Sequence, residues 1–80
     1  MNIKEALQVI LNDTEHYGTS LKYAINYVKA ATLMEEGSEE LRVQCLYILN
    51  ILGYWTVRQN KLSKEVKEVL KRESKIKKED

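Results

Sequence analysis

The stretch Leu41–Trp55, LRVQCLYILNILGYW, decides how this chain folds. Eleven of its fifteen residues are apolar or aromatic, and only Arg42, Gln44 and Asn50 are plainly polar. As a helix it is apolar almost all the way round, so it needs cover on more than one face. Its main seam is Leu41, Cys45, Ile48, Leu52 and Trp55. A second row, Leu46, Leu49 and Ile51, widens that face well beyond a coiled-coil stripe. The pattern calls for a central helix wrapped by its neighbours, or one buried between subunits.

Just upstream, Gly37 follows Glu35-Glu36 and precedes Ser38. This reads as a glycine stop followed at once by a serine N-cap. Glu39 and Glu40 then fall in a first helical turn, where acids suit the dipole. The spacing predicts a helix from Ser38 to about Gln59. Further upstream, Asn2 and Glu5 have capping-box spacing. Ile3, Leu7, Ile10, Thr14, Tyr17, Leu21, Ala24, Val28 and Ala31 keep a three-four rhythm without a slip. One reading is a single helix over 2–36. The other is a short helix ending near Asn12, where Asn12-Asp13-Thr14 favours caps and turns, with a second helix after it. The unbroken register favours continuity with a kink near Gly18. Either way, Gly37 joins two antiparallel helices into a hairpin.

Downstream, Asn60 and Ser63 mark a break, with Ser63 as the N-cap of a short terminal helix. Its stripe of Val66, Val69, Leu70 and Ile76 is thin and promises little burial. Residues from about Lys75 to Asp80 are expected to fray. The fold class is all-α: a small helical bundle built on a long helical hairpin, with a short charged C-terminal helix, in one domain over residues 1–80.

Composition supports this class and excludes others. The 80 residues include no Pro, three Gly, no Phe, five Tyr and one Trp. Apolar residues make up 44% and charged residues 31%, the balance of a globular domain. A chain this short buries only about 60% of its unfolded surface, so good helix packing or association is needed for stability. The one cysteine, Cys45, cannot form an intramolecular disulfide. The N-terminus, MNIKEALQ, shows no basic-then-apolar signal pattern. The longest apolar run is too short and interrupted to span a bilayer. These features lead to the expectation of a cytoplasmic protein without membrane contact.

The net charge of +1 hides an asymmetry. Residues 1–40 hold three Lys and seven acids, a net of −4; residues 41–80 hold ten Lys or Arg and five acids, a net of +5. Complementary packing, within or between chains, is the simplest use of this pattern. A nucleic-acid partner is less favoured, because acids interrupt the basic segment.

No constellation for chemistry stands out. His16 has Asp13 and Glu15 nearby, but no second His or cysteine pair completes a metal set. A solvent-exposed or turn-capping role is the plainer reading. Cys45 lies on the apolar seam, where a cysteine behaves as a small buried hydrophobe. Glycine-rich phosphate loops, GxSxG elbows and paired-acid motifs are all missing. The expectation is no catalytic residue, no metal and no cofactor: the protein is not an enzyme.

The aromatic residues point to binding instead. Tyr23 and Tyr27 lie four apart, off the seam of their helix. Tyr47, Tyr54 and Arg58 share a face of the next, beside Trp55. Tyr, Trp and Arg are enriched in interfaces, which makes Tyr23, Tyr27, Tyr47, Tyr54, Trp55 and Arg58 the candidate protein-contact residues. The plainer reading is intramolecular packing with hydroxyls at the rim. The alternative partner is nucleic acid, through Lys61, Lys64, Lys67, Lys71, Arg72 and Lys75 of the terminal helix. Against it stands an ordinary solvated face with pairs such as Lys61–Glu65 and Lys64–Glu68.

The segments YGTSLKYAINYVKAA and LRVQCLYILNILGYW together resemble a pattern in small uncharacterised helical proteins of phages and prophages. Tyr23, Ala24, Tyr27, Tyr47, Leu49, Asn50, Tyr54 and Trp55 carry the resemblance, over roughly residues 17–58. It implies a mobile-element accessory protein that binds a host factor. The apolar surface of the second helix also exceeds the cover offered by its neighbours, so self-association as a dimer is expected.

Overall fold

The computed structural model describes residues 1–53, 55 and 60–75. They form four helices: α1 (Ile3–Asn12), α2 (Ile25–Ala31), α3 (Glu39–Leu52) and α4 (Asn60–Ser74), with a 3-10 turn at Thr14–His16. There is no strand among the described residues. The all-α reading therefore holds.

α1 starts with the expected capping box. The Glu5 N–H donates to Asn2 Oδ1 at 2.8 Å, and the Asn2 N–H donates to Glu5 Oε1 at 3.0 Å. The helix then stops at Asn12, so the continuous helix over 2–36 does not form. Asp13 leaves helical geometry at φ −84°, ψ 62°. From there to Ala24 the chain advances mostly by i→i+3 bonds, such as Tyr17 N–H to Thr14 and Lys22 N–H to Thr19. Asn, Asp, Thr, Ser and Gly crowd this stretch, and they compete with or weaken a helix backbone. The apolar rhythm survives the break because Leu21 and Ala24 still point inward, while Thr14 is exposed.

Between α2 and α3 the serine cap forms as expected, but Gly37 does not stop a helix: α2 already ends at Ala31, and Gly37 lies in the connecting turn. Gly37 adopts φ +78°, and Ser38 Oγ accepts the Leu41 N–H at 3.1 Å. α3, however, ends at Leu52 rather than near Gln59. Gly53 takes φ +53°, ψ −116°, a conformation that favours glycine and ends the helical run. The stretch over Tyr54 and 56–59 lies outside the described residues.

Two further expectations are corrected in α4. Ser63 is not its N-cap: the helix begins at Asn60, and Ser63 is buried inside it. Nor does the stripe bury little. Val66, Val69 and Leu70 join the core, and Ser63, Glu73 and Ser74 extend the same inward row. Ile76 and the rest of the expected frayed tail lie outside the described residues.

The topology follows from polar ties at each end. At one end, Lys4 in the first turn of α1 donates to the carbonyls of Thr32, at 2.8 Å, and Met34, just past α2. The ammonium thus meets carbonyls left unpaired at a helix C-terminus. At the same end, the Gly37 N–H donates to Glu73 Oε2 of α4 at 3.0 Å. At the other end, Trp55 Nε1 donates to Asp13 Oδ2 at 2.7 Å. The helices therefore run up, down, up, down, with α4 closing back onto α1. Leu7, Ile10, Leu21, Val28, Leu41, Cys45, Ile48, Leu52, Trp55, Val66 and Leu70 fill the middle. No helix among the described residues is long and apolar enough to cross a membrane.

Candidate protein interface

Burial of Ile25, Val28 and Ala31 turns Tyr27 and Ala30 outward on α2, and Tyr23 is exposed in the turn that enters it. Burial of Leu41, Cys45, Ile48 and Leu52 does the same for Leu46 and Tyr47 on α3. The result is a set of exposed aromatic and aliphatic side chains on and beside the α2–α3 pair. Tyr23 is 73% exposed, Tyr47 55%, Tyr27 46%, Leu46 43% and Leu33, just past α2, 89%. The Tyr27 and Tyr47 rings meet with centroids 6.4 Å apart and planes tilted by 40°, within the range of favourable aromatic pairs. Gln44 Nε2 donates to the Tyr27 carbonyl at 3.0 Å, fixing the two helices side by side. Between them runs an open groove of about 290 Å³ lined by Asn26, Tyr27, Ala30, Met34 and Gln44.

The charges around this face are ordered. The Lys22 ammonium lies 5.6 Å from the Tyr23 ring centroid in the turn before α2, and Lys29 is exposed on α2. α3 begins instead with Glu39 and Glu40, both exposed. Glu39 makes a two-pronged contact with Arg42, including Arg42 Nε at 3.0 Å. That hydrogen bond holds the Glu39 carboxyl below its usual range.

Of the expected contact residues, the structure brings Tyr27 and Tyr47 into contact and leaves Tyr23 exposed at the entry to α2, but it does not place Trp55 with them. The Trp55 ring is fully buried with its N–H tied to Asp13, so it belongs to the core and not to an exposed interface. Tyr54 and Arg58 lie outside the described residues. Leu33, Met34 and Leu46 were not legible as part of the face: Leu46 reads from sequence as a second core row. In the structure that row is split, with Leu46 exposed and Leu49 and Ile51 half-buried.

The basic candidates sit elsewhere. Lys61, Lys64, Lys71, Arg72 and Lys75 are exposed on or at the end of α4, with Glu65 and Glu68 exposed among them. Lys67 is half-buried, its ammonium 3.5 Å from the Gly53 carbonyl. An open cleft of about 490 Å³ between the start of α1 and the end of α4 has Glu36, Arg72 and Glu73 in its wall.

His16 is half-buried, with Nδ1 2.7 Å from the Asp13 oxygen that accepts the Trp55 N–H. A carboxylate can only accept, so Nδ1 carries the hydrogen. Glu15 completes a group whose potential ligand atoms lie within 4.8 Å of one another. Within this group Asp13 fastens Trp55 at the helix break. Cys45 is buried on α3. Burial first, and the nearby Glu73 charge second, push its thiol up to about 12, far from a reactive thiolate.

No family model, curated protein or solved structure matches the chain.

Proposed function

We propose that this chain is a non-catalytic helical module that acts by binding protein through its α2–α3 face. The observation that carries the reading is the uneven distribution of apolar surface. Tyr23, Tyr27, Leu33, Leu46 and Tyr47 are the large exposed apolar side chains on α2, α3 and their flanks. The exposed residues of α4 in contrast, among the described side chains, are all Lys, Arg or Glu. Contiguous apolar patches rimmed by polar groups mark contact surfaces, and tyrosine is favoured in them. The resemblance to phage and prophage proteins extends the proposal to a mobile-element accessory protein that modulates a host system inside the cell. The lone buried Cys45 is compatible with a reducing interior.

The α4 basic surface supports a second reading, a nucleic-acid contact, because its exposed cations outnumber the interleaved Glu65 and Glu68. Two titrations separate these readings. Affinity capture with the wild-type chain and with a Tyr27→Asp/Tyr47→Asp variant of equal helicity should show a bound protein lost only from the variant. Duplex DNA should bind weakly to both. Tight DNA binding that falls steeply with salt, and is abolished by Lys64→Glu/Lys71→Glu, would replace the protein-binding reading.

A further inference from the structure

The open cleft of about 490 Å³ between the start of α1 and the end of α4 has the size that small ligands occupy. Its wall is apolar where Met1, Ile3 and Val69 form it and ionic where Glu36, Arg72 and Glu73 do. Ile3, Val69 and Glu73 are buried, whereas Glu36 and Arg72 are exposed. Glu73 is the unusual member. It is only 8% exposed, yet its carboxylate accepts a single hydrogen bond, from the Gly37 N–H to Oε2. Among the described residues nothing donates to Oε1, and no cation lies within ion-pair distance of Glu73 or Glu36. Lys4, at the same end of the bundle, is already held by the carbonyls of Thr32 and Met34. No fully buried side-chain oxygen among the described residues lacks a partner. The free Oε1 therefore reaches solvent, through the cleft that Glu73 lines.

We propose that this cleft binds a primary alkylammonium group. Glu73 Oε1 and the Glu36 carboxylate receive the ammonium, and Ile3, Val69 and Met1 cover its aliphatic stem. The site shares no lining residue with the α2–α3 groove, and the proposal goes beyond the protein-binding reading without resting on it. A buried carboxylate is costly unless hydrogen bonds and an opposite charge compensate it. One N–H fills only part of its capacity to accept. An ammonium supplies both the missing donors and the missing charge, and the apolar wall favours one carried on a methylene chain. Arg72 makes an anion the rival ligand. Its guanidinium is exposed and so already solvated, and an anion bound beside it would face two carboxylates that have no cation. A free amine and the lysine side chain of another protein present the same group.

Amide NMR of the full chain, titrated with n-butylammonium, n-butanol and inorganic phosphate, tests the proposal. Butylammonium should shift the Gly37 and Val69 amides with half-saturation near about 1 mM, a reasonable affinity for so few atoms. Butanol has the same stem without the charge and should bind at least about tenfold more weakly. Glu73→Gln keeps an acceptor for the Gly37 N–H but loses the charge, and should weaken the amine by about tenfold or more. Glu36→Gln, at an exposed position, should weaken it by about two- to threefold. Arg72→Gln should leave the amine bound as tightly as before, or more tightly. Circular dichroism confirms that each variant folds; if Glu73→Gln does not, Glu36→Gln and the butanol comparison carry the test. Nα-acetyl-lysine methylamide separates the two sources of the group. Binding at least as tight as butylammonium assigns the site to a protein lysine, and weaker binding assigns it to a free amine. The proposal is overturned by amides that do not move with butylammonium up to about 20 mM, by equal affinity for butanol, or by amine binding that both glutamate variants leave unchanged. Saturable phosphate binding that Arg72→Gln abolishes, without amine binding, overturns it in favour of an anion site.

Discussion

Asp13 shows how one residue can set the course of a small chain. Its backbone ends α1, and its carboxylate holds an indole from the far side of the sequence, 42 residues away. Sequence alone shows the first role, because Asn12-Asp13-Thr14 reads as turn chemistry. It hides the second, because the pairing with Trp55 depends on tertiary structure. Asp13→Ala should lower stability by about 1 to 3 kcal/mol in denaturant unfolding, since the buried indole N–H loses its acceptor. Asp13→Asn keeps an acceptor oxygen and should lose less. Equal losses in the two variants would show that the hydrogen bond is not what matters. Cys45 makes a separate prediction about pH. Below about pH 8.5 the thiol is protonated in folded and unfolded chains alike. Above that the unfolded chain releases the proton, while the folded chain holds it up to about 12. Its contribution to stability therefore falls as pH rises, by about 1.4 kcal/mol per unit. The wild type should lose stability between pH 9 and 10.5 more steeply than Cys45→Ala, by about that slope; parallel curves would contradict the buried thiol.

At the scale of elements, the ends of helices were legible where a side chain caps them and hidden where glycine geometry decides. Asn2, Glu5 and Ser38 announce their roles in the sequence, whereas Gly37 marks the turn but not the end of α2, which stops at Ala31. Gly53 gives no such signal, because it sits inside an apolar run whose rhythm continues to Trp55. Gly53→Ala should destabilise by about 1 to 3 kcal/mol, the usual penalty for forcing a side chain into such a conformation. A neutral result would mean that α3 does not stop there. The core seam of α3 was legible, but the depth of its second row was not. Leu52 is 2% exposed and Leu49 only half-buried. Leu52→Ala should lose about 2 to 5 kcal/mol and Leu49→Ala distinctly less, in the same unfolding measurement. α4 was underestimated because counting its aliphatic residues leaves out Ser63, Glu73 and Ser74, which share the inward row. Glu73 is charged yet buried because the Gly37 N–H meets it there.

At the scale of the molecule, the architecture is a bundle fastened at both ends by polar ties and filled between them by aliphatic side chains. The sequence reveals the helical class, the hairpin at Gly37 and three of the tyrosines that line the outer face. It places Trp55 both on the core seam and among the contact residues, and only the seam placement holds, because an aromatic residue at the end of an apolar run looks the same whether it packs inward or outward. The surface then divides into an apolar aromatic side over α2 and α3 and a charged side over α4. The claim that the first side is where this protein meets others is tested most directly by photo-crosslinking. A photoreactive amino acid is placed at position 47 in one chain and at position 64 in another, and each is irradiated in host lysate. The account predicts discrete protein adducts from position 47, whether with a second copy or with a foreign chain, and none from position 64. Adducts confined to position 64, with position 47 silent, would contradict it.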